Sequence, residues 1–458
     1  MVGWSAIYSL DPPGGCFSLN SNCPVTLNGM NFISVLVLAF ASSLFLGTAE
    51  PVQSADTAES VEHAGPILGD LTADSVRIWL RTAVPRSSVV EIKDAGGEIV
   101  RRCPLQTTAE SDHTGILKIL DLTPGTRFTF SIDGKTNSDW WFRTRPASDD
   151  ACRIAFGSCA DEGDGSASVW RRMESDEVTA LVLLGDTPYI DTTDLTRQRA
   201  RYREFSQPVD FARLVSHVPV YSTWDDHDFG RNDTDGNLPG KENSRQAVTE
   251  YRPNPSFGEN GQGIYTNFRQ GPVEVFLLDA RWFARTEGGA NDPTLLGAQQ
   301  WAWLERSLAA STAPFKILAC GMVFNGSVRP FKTDCWGVYL AEYEWLIELI
   351  ARVKAEGVVL VSGDVHWSRV IRHDTKGRLG YDLMEFVTSP IHERLIPAAN
   401  PPHPGLIFSV GEINSFLLVD ATTEGASSTL VARIRNAAGH DRHVEKITVP
   451  SGKPVLPR

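Results

Sequence analysis

Residues 180–191 read ALVLLGDTPYID and place five apolar residues directly before Gly185 and Asp186. A continuous apolar run of this length is typical of a strand that is covered on both faces, as in a parallel sheet. Two more polar groups, Tyr189 and Asp191, follow within the same segment. Because open α/β sheets bind ligands at the carboxyl ends of their strands, this segment predicts an α/β fold with chemistry at Asp186.

Similar apolar strands recur on both sides of this segment. They are predicted at residues 152–157, 218–224, 273–279, 315–320, 357–363, 415–420 and 428–435. Helical periodicity predicts helices at residues 194–214, 296–309 and 339–354 between them. We therefore expect a layered α/β domain over residues 151–458.

Residues 62–146 show a different pattern, with apolar side chains at every second position. Val76, Ile78 and Leu80 share one face of a segment, and residues 128–132 repeat the alternation after a turn at residues 123–125. Period-two segments at short spacing predict antiparallel strands in a small β-sandwich domain. Residues 122–130 are similar to the fibronectin type III pattern, with Phe128 at the position of the corner tyrosine.

The first 55 residues have the character of a leader. Residues 33–46 are largely apolar, small residues follow them, and residues 1–76 contain no Lys or Arg. This pattern predicts a signal peptide and a periplasmic or secreted protein without a stable membrane span in its mature form. The basic residues that usually precede such a run are absent, and Met30 is an alternative start of the chain. The alternative to a signal peptide is a loose N-terminal helix without function.

The composition of the chain excludes some functions. The chain has 458 residues with 43 Lys and Arg against 56 Asp and Glu, and a net charge of −13 disfavours nucleic-acid binding because such a surface repels phosphate backbones. Five of the seven cysteines follow the leader, namely Cys103, Cys152, Cys159, Cys320 and Cys335. If Cys159 belongs to a metal site, the other four could form two disulfides in any of three connectivities or stay free.

Ligand-type side chains follow four of the predicted strands. They lie in residues 156–159 (FGSC), 185–191 (GDTPYID), 223–232 (TWDDHDFGRN) and 363–368 (GDVHWS). Singly, each has a structural explanation: Asp186 could cap the turn that follows it, Cys159 could be a small buried residue, and His366 could be a core histidine. Together they favour bound cations, because clustered acids without matching cations are costly to bury.

These four segments together resemble the motif series of the alkaline phosphatase D family, a branch of the calcineurin-like metallophosphoesterases. The resemblance runs from about residue 63 to the end of the chain. It implies a four-layer αββα sandwich preceded by the small β-sandwich, and a binuclear or larger metal centre. It also implies hydrolysis of phosphomonoesters or phosphodiesters outside the cytoplasm by a metal-activated hydroxide.

The resemblance also implies metal ligands. Asp186 would bridge two metals, and Cys159, Tyr189 and His366 would complete one site. A thiolate and a phenolate on one ion suggest Fe³⁺ by analogy with the family.

An oxygen-rich second site would be served by Asp226 and Asp364 and suits Ca²⁺, with other divalent ions as alternatives. Spacing does not decide between Asp225 and Asp226, and we favour Asp226 because it directly precedes His227. Asn232 lies one residue later than the family's asparagine, so its role as a ligand is doubtful.

By the same analogy, His227 would donate a proton to the leaving oxygen and Arg281 would clamp the phosphate of a small phosphate-ester substrate. The alternative for Arg281 is an ion pair with Asp279. A competing function is an extracellular binding or adhesion protein whose metal site is structural or decayed. The sequence leaves the oligomeric state and the preference for monoester or diester open.

Overall fold

The computed structural model describes residues 63–286, 293–329 and 332–451. The predicted leader, residues 1–55, lies outside the described residues. None of the described helices is long and apolar enough to cross a membrane.

Twenty strands are described. They are β1 (His63–Gly69), β2 (Val76–Thr82), β3 (Ser87–Lys93), β4 (Ile99–Gln106), β5 (Thr114–Ile119), β6 (Arg127–Ile132), β7 (Lys135–Arg143), β8 (Ala151–Gly157), β9 (Ala180–Leu184), β10 (Val220–Thr223), β11 (Thr266–Gln270), β12 (Val273–Leu277), β13 (Phe315–Ala319), β14 (Val358–Ser362), β15 (Ser368–His373), β16 (Leu383–Val387), β17 (Leu406–Val410), β18 (Ser415–Glu424), β19 (Ser427–Asn436) and β20 (Asp441–Pro450).

Eight α-helices are described, together with 3₁₀ turns at Trp336–Val338 and Pro397–Ala399. The helices are α1 (Asp164–Ser175), α2 (Leu195–Phe205), α3 (Val209–Val215), α4 (Asp226–Phe229), α5 (Lys241–Tyr251), α6 (Gly297–Ala310), α7 (Leu340–Arg352) and α8 (Lys376–Leu379).

The single helix expected over residues 194–214 is wrong. Two helices, α2 and α3, occupy this region and are separated by Ser206, Gln207 and Pro208. Proline has no N–H for a helical hydrogen bond and disfavours helical geometry at the residue before it, so the first helix ends before Pro208. The expectations for α6 and α7 are correct to within two residues at each end.

Two large sheets carry the α/β part. One has the order β10-β9-β8-β18-β19-β20 and the other β11-β12-β13-β14-β16-β15-β17. The neighbours β8, β9 and β10 are parallel, as are β12, β13, β14 and β16. Apolar side chains of both sheets, among them Val182, Leu184, Ile317 and Val361, form one buried core. The result is the mixed α/β, sheet-rich fold that the apolar strands predict.

The N-terminal strands form two smaller antiparallel sheets, β1-β2-β5 and β4-β3-β6-β7. Their shared core contains Val76, Ile78 and Leu80, the face that the period-two pattern predicts to be buried. Trp79 points the other way and donates its indole N–H to the carbonyl of Glu250, at 2.7 Å. This contact anchors the N-terminal sheets to α5.

The described cysteines are all free thiols. Cys103, Cys152, Cys159, Cys320 and Cys335 form no disulfide. The cysteine count allows either two disulfides or free thiols, and the structure has free thiols.

Candidate metal centre

The predicted site residues lie directly after strands. Cys159 follows β8, Asp186 follows β9 and Asp226 follows β10. Because these three strands are parallel neighbours, their carboxyl ends meet at one edge of the sheet. Asp364 and His366 follow β14 of the other large sheet. The polar residues at these strand ends of the two sheets lie close together.

Left-handed backbone conformations mark this place. The φ angles of Cys159, Asp186, Asp364 and His366 are 57°, 53°, 66° and 52°. Non-glycine residues in this region are strained, and such strain is concentrated at functional sites. Gly185, with φ of 103°, has no alternative residue, because a Cβ atom there would lie 2.4 Å from Cβ of Asp225.

One candidate metal cluster consists of Cys159, Asp186 and His366. One ligand atom of each lies within 4.8 Å of the others. The Sγ atom of Cys159 lies 3.6 Å from Oδ2 of Asp186. The phenol oxygen of Tyr189 lies 3.0 Å from Nε2 of His366, so it belongs to the same cluster.

The electrostatics of this cluster fit a bound cation. Burial, together with the charge of Asp186, raises the pKa of the Cys159 thiol well above its usual range. Burial and the neighbouring carboxylates likewise raise the pKa of Asp186. Oδ1 of Asp186 and Nδ1 of His366 are buried without a hydrogen-bond partner. A cation would offset the repulsion and use these free lone pairs, so the residues suit a metal ion.

The oxygen-rich second cluster is built around Asp226. Three candidate ligand groups contain Asp226: with Asp186 and His227, with Asp225 and Asp364, and with Asp233 and Asp334. The Asp226 carboxylate accepts hydrogen bonds from its neighbours' backbone, at 3.0 Å from the N–H of residue 227 and 2.6 Å from that of residue 233. This position fits the expectation that Asp226, and not Asp225, is the metal ligand. Oδ2 of Asp225 is nevertheless also buried without a hydrogen-bond partner.

Arg281 is not at the cleft surface where a phosphate clamp would have to lie. Its side chain is completely buried, with Nε 2.7 Å from Oδ1 of Asp225 and two further nitrogens 2.6 and 2.7 Å from the oxygens of Asp334. From Arg281, Asp279 accepts a hydrogen bond of the backbone N–H, at 2.9 Å, and none of the guanidinium. The geometry therefore argues against a direct phosphate contact and gives Arg281 the role of holding two carboxylates beside the candidate metal centre.

His227 lines a small cavity of about 60 Å³ that Asp186, Asn232 and His366 also line. Its side chain is 23% exposed, and Nδ1 lies 2.5 Å from Oδ1 of Asp191. With Nδ1 held by that carboxylate, Nε2 is the nitrogen available to a substrate. Asn232, a doubtful ligand by its spacing, thus lies at the same cavity.

Sequence reasoning missed three residues of the site. Arg329 and Lys332 line the cavity from a loop without periodicity, so no pattern indicated them. His392 is buried, and its Nε2 lies 3.0 Å from the phenol oxygen of Tyr189. A signal for His392 was present, because it follows β16 in the manner of the other strand-end residues.

Comparison with known proteins agrees with the strand-end motifs. Residues 154–403, more than half of the chain, match the model of the PhoD-like phosphatase family. Alkaline phosphatase D of Bacillus subtilis (strain 168) is 26% identical over 267 residues, and this chain spans about half of its length, 46%. The solved structure of PhoD superposes with a TM-score of 0.67 and 20% identity, over 84% of this chain and 90% of that chain, which shows a shared fold. The family resemblance of the motifs is thereby confirmed, and the chain belongs to the PhoD-like phosphatase family.

Proposed function

We propose that this protein is a metal-dependent hydrolase of small phosphate esters, acting as a phosphomonoesterase or phosphodiesterase. The observation that carries the proposal is the convergence of Cys159, Asp186 and His366 beside His227, a histidine that is 23% exposed and oriented by a carboxylate. A purely structural ion has no need of a proton donor next to it. Membership of a phosphatase family gives the reaction class.

The residues of the cavity suggest separate roles in the reaction. Bound cations would polarise the phosphoryl oxygens and supply an activated water. His227 would donate the Nε2 proton to the leaving oxygen, with Asp191 holding the ring in orientation. Arg329, whose side chain is 33% exposed and has a guanidinium nitrogen 3.9 Å from Oδ2 of Asp233, would offset charge on the phosphoryl oxygens in place of Arg281.

We propose Fe³⁺ at the cluster of Cys159, Asp186, Tyr189 and His366, because thiolate and phenolate are ligands for a trivalent, redox-active ion. The oxygen-rich cluster at Asp226 and Asp364 suits Ca²⁺ or another divalent ion. Metal analysis of the purified protein tests both assignments.

The finer architecture and the location in the cell are further proposals. The two large sheets with their helices would form a four-layer αββα sandwich over residues 151–458, and the two small sheets a fibronectin III-like sandwich over residues 62–146. The leader would direct the protein to the periplasm or the exterior. Mass spectrometry of the native product should then show an N-terminus between residues 50 and 56.

Turnover of p-nitrophenyl phosphate and of its bis ester, after metal addition, tests the function directly. The expected result is hydrolysis that chelation abolishes and metal restores. Asp186→Asn should be inactive, whereas Glu344→Gln, a change on the outer face of α7, should be fully active. Complete inactivity of the wild type with metals bound would favour the competing function, a binding or adhesion protein with a structural metal site.

A further inference from the structure

Lys332 lies inside the candidate metal centre. Its Nζ atom is 2.8 Å from each carboxylate oxygen of Asp364, 3.2 Å from Asp233 and 3.8 Å from Asp334. The side chain is only 5% exposed. A buried ammonium thus lies among carboxylates that include Asp364, a predicted ligand of the oxygen-rich site.

The charges around Lys332 explain why an ammonium is there. Asp226, Asp233 and Asp334 place carboxylate oxygens within 4.8 Å of one another, and adjacent buried carboxylates repel strongly when no cation separates them. The guanidinium of Arg281 is already engaged by Asp225 and Asp334. Lys332 is therefore the cation that faces Asp364 directly.

The ammonium of Lys332 and a metal ion cannot both contact the two carboxylate oxygens of Asp364 at the same time. Calcium binds oxygens at about 2.3–2.6 Å, so an ion on Asp364 would displace an ammonium that contacts both of its oxygens and would repel it. The lysine side chain is a flexible point charge and can swing away, unlike the planar fork of arginine. The cavity that Lys332 lines with Arg329 offers the space.

We propose that Lys332 is a tethered cation that occupies the oxygen-rich half of the centre in the metal-free protein, and that a divalent ion must displace it to bind. The inference rests on the proposed metal centre. In the metal-free state Lys332 holds the carboxylates together. In the loaded state its ammonium points into the cavity, so the affinity for the second ion is lowered by the competition.

Calcium binding to the chelator-treated full-length protein tests the competition. Lys332→Met should bind Ca²⁺ at least tenfold more tightly than the wild type, a difference of about 1.4 kcal/mol, measured by isothermal titration calorimetry. Lys332→Arg, which retains a cation, should not gain affinity. The control is Lys241→Met, which removes another partly buried lysine whose ammonium donates to the carbonyls of Gly236 and Trp282. Equal affinities of Lys332→Met and the wild type would overturn the inference.

Chemical labelling tests the displacement without any substitution. Acetylation of Lys332, measured by peptide mass spectrometry, should be low in the metal-free wild type and rise at least fivefold when CaCl₂ is bound. Lys316, also buried and bound to the carbonyl of Glu356, should not change. Calcium binding without increased labelling would refute the displacement and leave the hydrolase proposal intact. Absence of calcium binding would refute the displacement too, and turnover with other metals would show whether the hydrolase proposal survives.

Discussion

Asp225 and Arg281 form a completely buried ion pair, although they are 56 residues apart, with Nε of the arginine 2.7 Å from Oδ1 of the aspartate. The carboxylate of the adjacent Asp226 instead accepts the backbone N–H groups of His227 and Asp233 and belongs to three of the candidate ligand groups. Two consecutive aspartates therefore lie in different electrostatic surroundings. One compensates a buried guanidinium, and the other is positioned for a cation.

Asparagine substitutions should separate these two roles. Asp225→Asn leaves the guanidinium of Arg281 with Asp334 as its remaining carboxylate partner, and loss of one partner from a buried ion pair should lower the free energy of unfolding by about 3 kcal/mol. Asp226→Asn should lose the ion of the oxygen-rich site with a smaller effect on the metal-free protein. Urea unfolding of metal-free samples and metal analysis provide the two measurements. Loss of metal with unchanged stability in Asp225→Asn would identify Asp225 as the ligand.

Tyr189 should give the protein a visible colour if the cluster holds Fe³⁺. Its phenol oxygen lies between Nε2 of His366 and Nε2 of His392, at 3.0 Å from each. Tyr189→Phe should shift or bleach the charge-transfer band, whereas Tyr343→Phe, a phenol bound to His373 outside this cluster, should not. Visible absorption spectra of the wild type and the two variants measure this difference. A colourless wild type with stoichiometric zinc would contradict the iron assignment.

Glu385 should make stability depend on acid pH. It is completely buried and accepts hydrogen bonds from Ser362, Phe324, Asn325 and His373 at 2.9–3.1 Å. Burial alone would raise its pKa, but the hydrogen bond and charge of His373 hold the pKa below its usual 4.5. A lowered carboxyl pKa stabilises the fold above pH 4.5, and the contribution disappears as the pH falls through the lowered value.

Glu385→Gln should therefore be less stable than the wild type by about 1.5–3 kcal/mol at pH 7, the usual range for a hydrogen bond to a charged group. The difference should shrink as the pH falls below 4.5. Denaturant unfolding at several pH values measures it. The matched control is Glu344→Gln, an exposed glutamate paired with Arg378, which should change little. A difference that stays constant with pH would mean that the lost contribution comes from packing and not from the charge.

The sequence alone predicts the strand ends of the site well, because a local pattern carries them. An apolar run followed by Gly-Asp indicates a buried strand that ends just before Asp186, and ligands bind at such strand ends in α/β sheets. The surroundings of Arg281 were not predictable in this way. Its partner Asp334 is 53 residues away in a loop without periodicity, so no spacing rule brings the two together. The helix break before Pro208 follows from the missing N–H of proline, a local signal that helical periodicity alone does not contain.

His227 should act as a general acid. Proton donation matters in proportion to how poor the leaving group is, and it typically contributes 10²–10⁴-fold, or roughly 3 to 5 kcal/mol of barrier. Nitrophenolate leaves readily without a proton. His227→Ala should therefore lose little kcat on p-nitrophenyl esters and about 10²–10⁴-fold on alkyl or sugar phosphates, with unchanged metal content. Steady-state kinetics on both substrate classes, with metal analysis of the same samples, measure this.

The Asp191 carboxylate supplies the matched test of orientation, because it lies 2.5 Å from Nδ1 of His227 and is itself 56% exposed. Asp191→Asn keeps the proton donor and loses only the charge that orients and stabilises it, so its loss on alkyl phosphates should be smaller than that of His227→Ala and should again spare p-nitrophenyl esters. Because Asp191 is exposed, its substitution should leave the unfolding transition in place. Equal losses of His227→Ala on both substrate classes would instead mean that His227 binds the phosphoryl group or supports a metal ligand, since those functions do not depend on the leaving group.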